Sequence, residues 1–214
     1  MKVAPSLLTA DFLHLEKDVR MVDEHADLIH LDIMDGTLVP NISFGFPVIE
    51  GIASIATKPM DAHLMTVTPD KWFGRLKELG VSLVSFHYEA AGLKTGRFLR
   101  QARKMGFKAG VAINPDIPVE KVFKYIGKAD FILVMSVFAG FGGQKFIFET
   151  IDRVAKLKAE ITRRGADTLI EVDGGVNPGN IKAIAEAGAD IVVGGSAVLG
   201  AEDPSAVIRA LQEA

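Results

Sequence analysis

The stretch HLDIMDG, residues 30–36, decides how the chain reads. It reads as a buried strand that nonetheless carries a histidine and two acids. His30 and Asp32 stand two apart, so on a strand they share one face. Burying unpaired charge there costs several kcal/mol, so the charge needs a partner. The spacing recurs in DAHLM, residues 61–65, where Asp61 and His63 stand two apart on the next apolar run.

Working outward, eight short apolar runs can be found: KVAPSLL (2–8), DLIHLDI (27–33), KPMDAHL (58–64), SLVSFHY (82–88), FKAGVAI (107–113), DFILVMS (130–136), TLIEVDG (168–174) and DIVVGGS (190–196). Helical patterns lie between them, among them residues 11–25, 69–80 and 148–165. Phe12, Leu15, Val19 and Val22 recur at helical spacing in the first, and Ile151, Val154, Leu157 and Ile161 in the third. Glycine follows several of these patterns, as a left-handed C-cap requires. Strands alternating with helices imply right-handed βαβ units and a parallel sheet. Eight units in 214 residues predict one (β/α)8 TIM barrel spanning 1–214 as a single domain. The competitor is an open doubly wound sheet, but no glycine-rich dinucleotide turn follows Leu8.

Composition narrows the function classes. The net charge is −3 with no basic run, so no nucleic-acid partner is expected. The absence of cysteine removes disulfides, thiolate metal sites and thiol nucleophiles together. No apolar run reaches membrane-spanning length, and the N-terminal stretch has no signal-peptide core. The expectation is a soluble cytoplasmic protein without a membrane partner.

Barrel active sites lie at the C-terminal ends of the strands, and polar residues collect there. Ser6 ends the first run, His30 and Asp32 the second, Asp61 and His63 the third, and His87 and Glu89 the fourth. Asn114, Ser136, Asp173 and Ser196 close the remaining four. His30, Asp32, His63 and Asp173 would converge on the barrel mouth. Two imidazoles and two carboxylates suit one divalent zinc, iron, manganese or cobalt ion, and such an ion would neutralise the buried acids. Glycines mark a second site: Gly140, Phe141, Gly142 and Gly143 after the sixth run, Gly174 and Gly175 after the seventh, Gly194, Gly195 and Ser196 after the eighth. Loops after strands seven and eight of such barrels often hold phosphate on backbone amides. Met34, Met65 and Met135 stand at or beyond strand ends two, three and six, as an apolar, polarizable floor around the ion.

A cation and two carboxylates beside a phosphate grip suggest proton transfer next to a carbonyl, with an enediolate stabilised by the ion. Carboxylates on opposite faces of that planar species would invert its configuration. No lysine stands at a strand end, which disfavours a Schiff-base aldolase.

The sequence resembles the ribulose-phosphate 3-epimerase family over essentially its whole length. The resemblance rests on PSLLTADF (5–12), HLDIMDGTLVPN (30–41), DAHLM (61–65), HYE (87–89), NP (114–115), VMSV and GFGGQKF (134–137, 140–146), EVDGGVN (171–177) and GGSAV (194–198). It implies interconversion of D-ribulose 5-phosphate and D-xylulose 5-phosphate. It further implies His30, Asp32, His63 and Asp173 as metal ligands and Asp32 and Asp173 as the acid–base pair. Ser6, His63, Gly140 to Gly143, Gly174, Gly175, Gly195 and Ser196 match substrate and phosphate contacts, and the three methionines match a sulfur-lined cap. A phosphorylated ketose substrate and a homo-oligomer are likewise implied. The chain departs from the pattern at Phe138-Ala139, where Asn-Pro is usual, and at Leu38 and Leu199, where phenylalanine is common; residues 90–98 carry no further histidines. Three alternatives stay open: D-allulose 6-phosphate as substrate, a non-catalytic sugar-phosphate-binding barrel, and a phosphate-barrel lyase or synthase.

Overall fold

The computed structural model describes all residues 1–214. Its strands are β1 (Lys2–Pro5), β2 (Ile29–Met34), β3 (Met60–Met65), β4 (Leu83–His87), β5 (Lys108–Ile113), β6 (Phe131–Met135), β7 (Leu169–Asp173) and β8 (Ile191–Gly194). The helices are α1 (Leu15–His25), α2 (Phe46–Ile55), α3 (Phe73–Glu78), α4 (Tyr88–Ala91), α5 (Thr95–Lys104), α6 (Thr150–Arg164), α7 (Ile181–Glu186), α8 (Ser196–Leu199) and α9 (Pro204–Gln212). Each strand pairs in parallel with its neighbour from β2 round to β8, and β8 pairs with β1. The β1–β2 seam is narrower. A bridge joins Ser6 to His30, and the Val3 carbonyl accepts the Asp27 and Leu28 amides at 3.1 and 3.3 Å. The result is a nearly closed (β/α)8 barrel, as the alternation of runs predicts.

Alternation along the strands sorts the apolar residues into two layers. Ile29, Leu31 and Ile33 of β2 face outward and join a large core with Val19 and Val22 of α1 and Ile49 and Ile52 of α2. Ala112, Phe131, Leu133 and Met135 pack together inside the barrel. Gly110 makes room for them: a Cβ there would stand 2.4 Å from the Phe131 ring on the adjacent strand. No helix is long and apolar enough to cross a membrane.

The element boundaries differ from expectation where side chains compete with the helix backbone. The helix expected over 11–25 begins only at Leu15. Asp11 instead accepts the Leu13 amide at 3.0 Å and contacts His14 Nδ1 at 2.8 Å, a local turn of the kind aspartate favours. Phe12 therefore stands outside the helical stripe, half exposed against Phe44. The 69–80 segment splits into a 3-10 turn at Pro69–Lys71 followed by α3. The crossover from β5 to β6 is a 3-10 helix, Val119–Tyr125, and carries no α-helix. The first apolar run ends as a strand at Pro5, because Ser6 Oγ accepts the Leu8 amide at 3.1 Å and turns the chain.

Candidate active site

A cavity of about 710 Å3 opens at the C-terminal mouth of the barrel. Ser6, Asp32 and Asp173 line it from β1, β2 and β7, and Met34, Met65 and Met135 form an apolar side. Gly140, Phe141, Gly142 and Gly143 border it from the β6 loop, with Gly174, Gly175, Gly195 and Ser196 from the loops after β7 and β8. His30 and His63 are fully buried and lie behind the two aspartates.

Strand register brings the charged groups together. Asp32 pairs with His63 across β2 and β3, and Met135 with Asp173 across β6 and β7. One donor atom from each of His30, Asp32, His63 and Asp173 lies within 4.8 Å of the others. His63 Nδ1 is 3.2 Å from Asp32 Oδ1 and 3.5 Å from Asp173 Oδ2. His30 Nε2 lies 3.5 Å from Asp32 Oδ1 and, though buried, makes no hydrogen bond. Its other nitrogen is held by Asp61 Oδ2 at 2.8 Å, the outer carboxylate that metal-binding histidines commonly carry. An orphaned buried imidazole nitrogen facing two carboxylates and a second imidazole fits a divalent cation, and these four residues are able to hold one.

The electrostatics show how strongly the acids attract positive charge. Burial disfavours a charged His30, but the Asp32 and Asp61 carboxylates outweigh it and hold the imidazole pKa well above its ordinary value. Burial likewise opposes charge on His63, and hydrogen bonding to Asp173 and Asp32 raises its pKa overall. Burial would raise Asp32, yet His30 and His63 hold it below the ordinary carboxylate range. The cluster thus gathers cationic character around the acids, as a bound metal would do by other means.

Glu171 escapes the sequence reading. It is fully buried two residues before Asp173, with Oε1 3.8 Å from His30 Nδ1. Burial and the neighbouring Asp61 push its pKa well above the ordinary glutamate value. The signal was available: residues two apart share a strand face, so Glu171 belongs with Asp173 as His30 does with Asp32.

The loop after β6 is tied down rather than loose. Asn41 Nδ2 donates to the Gly140 carbonyl at 2.8 Å, and Gln144 Nε2 donates to the Phe138 and Phe141 carbonyls at 2.7 and 2.8 Å. The Ala139 amide donates to Asn114 Oδ1 at 3.0 Å, a bond that proline at this position could not make. The loop reaches the opposite rim, where a Cβ on Gly142 would come within 2.8 Å of the Thr9 methyl. Gly175 makes a close backbone approach across the site: at φ +64°, its added Cβ would lie 2.7 Å from the Phe146 amide nitrogen. Gly175→Ala is therefore expected to shift the loops after β6 and β7 apart. Steady-state kinetics should show a KM at least several-fold higher, while the melting temperature falls by only a few degrees, about 1–2 kcal/mol.

The family model described as the ribulose-phosphate 3 epimerase family matches residues 2–199. The chain belongs to that family. A ribulose-phosphate 3-epimerase of Mycobacterium tuberculosis strain H37Rv is 42% identical over 210 residues, covering 98% of this chain and 91% of the relative. That of Bacillus subtilis strain 168 is 39% identical over 214 residues, covering 99% and 98%. These relatives bear the name of a ketose-phosphate 3-epimerase, and the chain is an enzyme of that family. Among solved structures, a 3-hexulose-6-phosphate synthase superposes with a TM-score of 0.73 at 20% identity, covering 100% of this chain and 99% of the other. N-(5'-phosphoribosyl)anthranilate isomerase from Pyrococcus furiosus gives 0.68 at 15% identity with full coverage of both. At such identities the likeness speaks for the barrel alone.

Proposed function

We propose that the chain interconverts D-ribulose 5-phosphate and D-xylulose 5-phosphate by two-base proton transfer through an enediolate. The observation that carries this reading is the pairing of Asp32 and Asp173 at one cavity, at 3.2 and 3.5 Å from His63 Nδ1, in a chain of the epimerase family. One carboxylate takes the proton from C3 on one face of the sugar, and the other delivers a proton to the opposite face. Ser6 Oγ donates to Asp32 Oδ2 at 2.5 Å and holds that carboxylate in place. His30, Asp32, His63 and Asp173 would hold one zinc, iron, manganese or cobalt ion. When bound, such an ion polarises the ketone oxygen and stabilises the charge of the enediolate.

The remaining residues bind and enclose. Backbone amides around Gly175, Gly195 and Ser196 suit the phosphate, since glycine lets the main chain approach an anion. Met34, Met65 and Met135 give an apolar wall, so that the planar species is shielded from water. The Gly140–Gly143 loop closes the cavity from above.

The deciding assay supplies each pentulose 5-phosphate in deuterated water and follows deuterium into C3 of the recovered sugars. Epimerisation accompanied by C3 deuteration is expected, with D-allulose 6-phosphate turned over more slowly. A protein that binds these sugars without exchange would be a binder only, and cleavage of a C–C bond would point to a lyase or synthase. Exhaustive chelation is expected to lower turnover at least a hundredfold, and adding back Mn2+, Co2+ or Zn2+ should restore it. Full activity at a metal content below one-tenth of an equivalent would remove the cation from the reading.

A further inference from the structure

The HYE segment, residues 87–89, lies beside the site with no role in the scheme above. His87 is fully buried on β4 and lies edge to edge with His63, the rings nearly coplanar, with centroids 5.0 Å apart and an interplanar angle of 18°. The two Nε2 atoms are 2.9 Å apart. At that distance one nitrogen donates and the other accepts.

The surroundings decide which. His63 Nδ1 faces Asp32 and Asp173. When Nδ1 serves as a ligand, Nε2 keeps the hydrogen of the ring. His87 Nε2 must then be the acceptor, and His87 carries its hydrogen on Nδ1. Glu89 favours this choice through its charge. Its Oε1 lies 3.5 Å from His87 Nδ1, which makes no hydrogen bond; a ring lone pair there would face a carboxylate, whereas an N–H is attracted to it. The same Oε1 accepts the Asn114 amide at 3.0 Å, which fixes the carboxylate. The opposite arrangement, with His87 donating from Nε2, would set the Nδ1 lone pair against Glu89.

We propose that His87 and Glu89 are positioning residues that fix the ring orientation and tautomer of His63, so that His63 presents Nδ1 to the site between Asp32 and Asp173. Glu89 sets His87, His87 sets His63, and His63 meets the cation. The inference rests on the metal reading of the site. Outer partners of metal-binding histidines commonly govern affinity by about 10–100-fold.

The test uses full-length protein labelled with 15N at histidine. Long-range ring correlations of the zinc-loaded wild type should show His87 with its hydrogen on Nδ1, and His63 with its hydrogen on Nε2. Zinc affinity, measured by competition with a chromophoric chelator, should fall about 10–100-fold in His87→Leu. It should largely recover in His87→Gln, whose Oε1 can accept from His63. A wild-type His87 with its hydrogen on Nε2, or a folded His87→Leu protein that binds zinc as tightly as wild type, would overturn the proposal. Should His87→Leu fail to fold, the wild-type ring correlations decide. If the wild type binds no zinc at all, the metal reading falls and this inference with it, whereas tight zinc binding by wild type and His87→Leu alike removes the inference alone.

Discussion

Asp173→Asn is expected to lower epimerase turnover by about 10^2–10^4-fold, the usual contribution of a positioned acid or base. Asparagine keeps the shape of the side chain and one oxygen to face His63, but it cannot take up or deliver the proton. Asp173 ends β7, is almost entirely buried, and lines the cavity. Its carboxylate faces His63 and supports no backbone hydrogen bond, so the melting temperature should stay within a few degrees of the wild type. The isotope pattern is more diagnostic than the rate. With two bases on opposite faces, Asp173→Asn should still exchange the C3 proton of one epimer with solvent, and Asp32→Asn that of the other. An Asp173→Asn protein with wild-type turnover would exclude the two-base scheme, and identical exchange patterns in the two variants would indicate a single base.

The largest stability effect is expected inside the barrel, away from the chemistry. Phe131 is 1% exposed and fills the barrel interior beside Leu133, Ala112 and Met135. Phe131→Ala should cost about 3–5 kcal/mol, from lost burial and from a cavity that a closed ring of strands cannot collapse to fill. Gly110→Ala should cost about 1–3 kcal/mol for the opposite reason, because the new methyl meets that ring. The two effects should not add. With the ring gone, the methyl at 110 has space, so Gly110→Ala/Phe131→Ala should be no less stable than Phe131→Ala alone. Denaturant midpoints of the four proteins in the cycle measure this directly. A double variant that loses the sum of both costs would show that Gly110 and Phe131 do not compete for the same space.

The barrel was legible because its signals are local. Six of the eight runs contain the strand found in the structure, β2 and β3 run one residue past theirs to Met34 and Met65, and the alternation of inward and outward faces follows from period two alone. His30, Asp32, His63 and Asp173 could be placed together for the same reason: strand ends of a parallel barrel face one way. Glu171 obeys the same rule and was overlooked because its run ends in the more conspicuous Asp-Gly-Gly. The start of α1 was misplaced, since Asp11 diverts the backbone through side-chain bonds that helical periodicity does not register. The tethering of the β6 loop was not legible at all. Ala139 looks like the loss of a rigid proline, whereas in the fold its amide meets Asn114, 25 residues earlier in the chain.

From residue order alone came the repeat of strand and helix, the end of the barrel that holds the polar groups, and the four residues able to share a cation. These are consequences of periodicity and of handed connections, which act over a few residues at a time. Tertiary structure decided the rest: which nitrogen of His63 faces the acids, that His87 meets its other nitrogen, that Asp61 holds His30, and that Gly110 yields its space to Phe131. Those outcomes depend on strand register and on distances of a few ångströms between segments remote in the chain, and only closure of the barrel sets them.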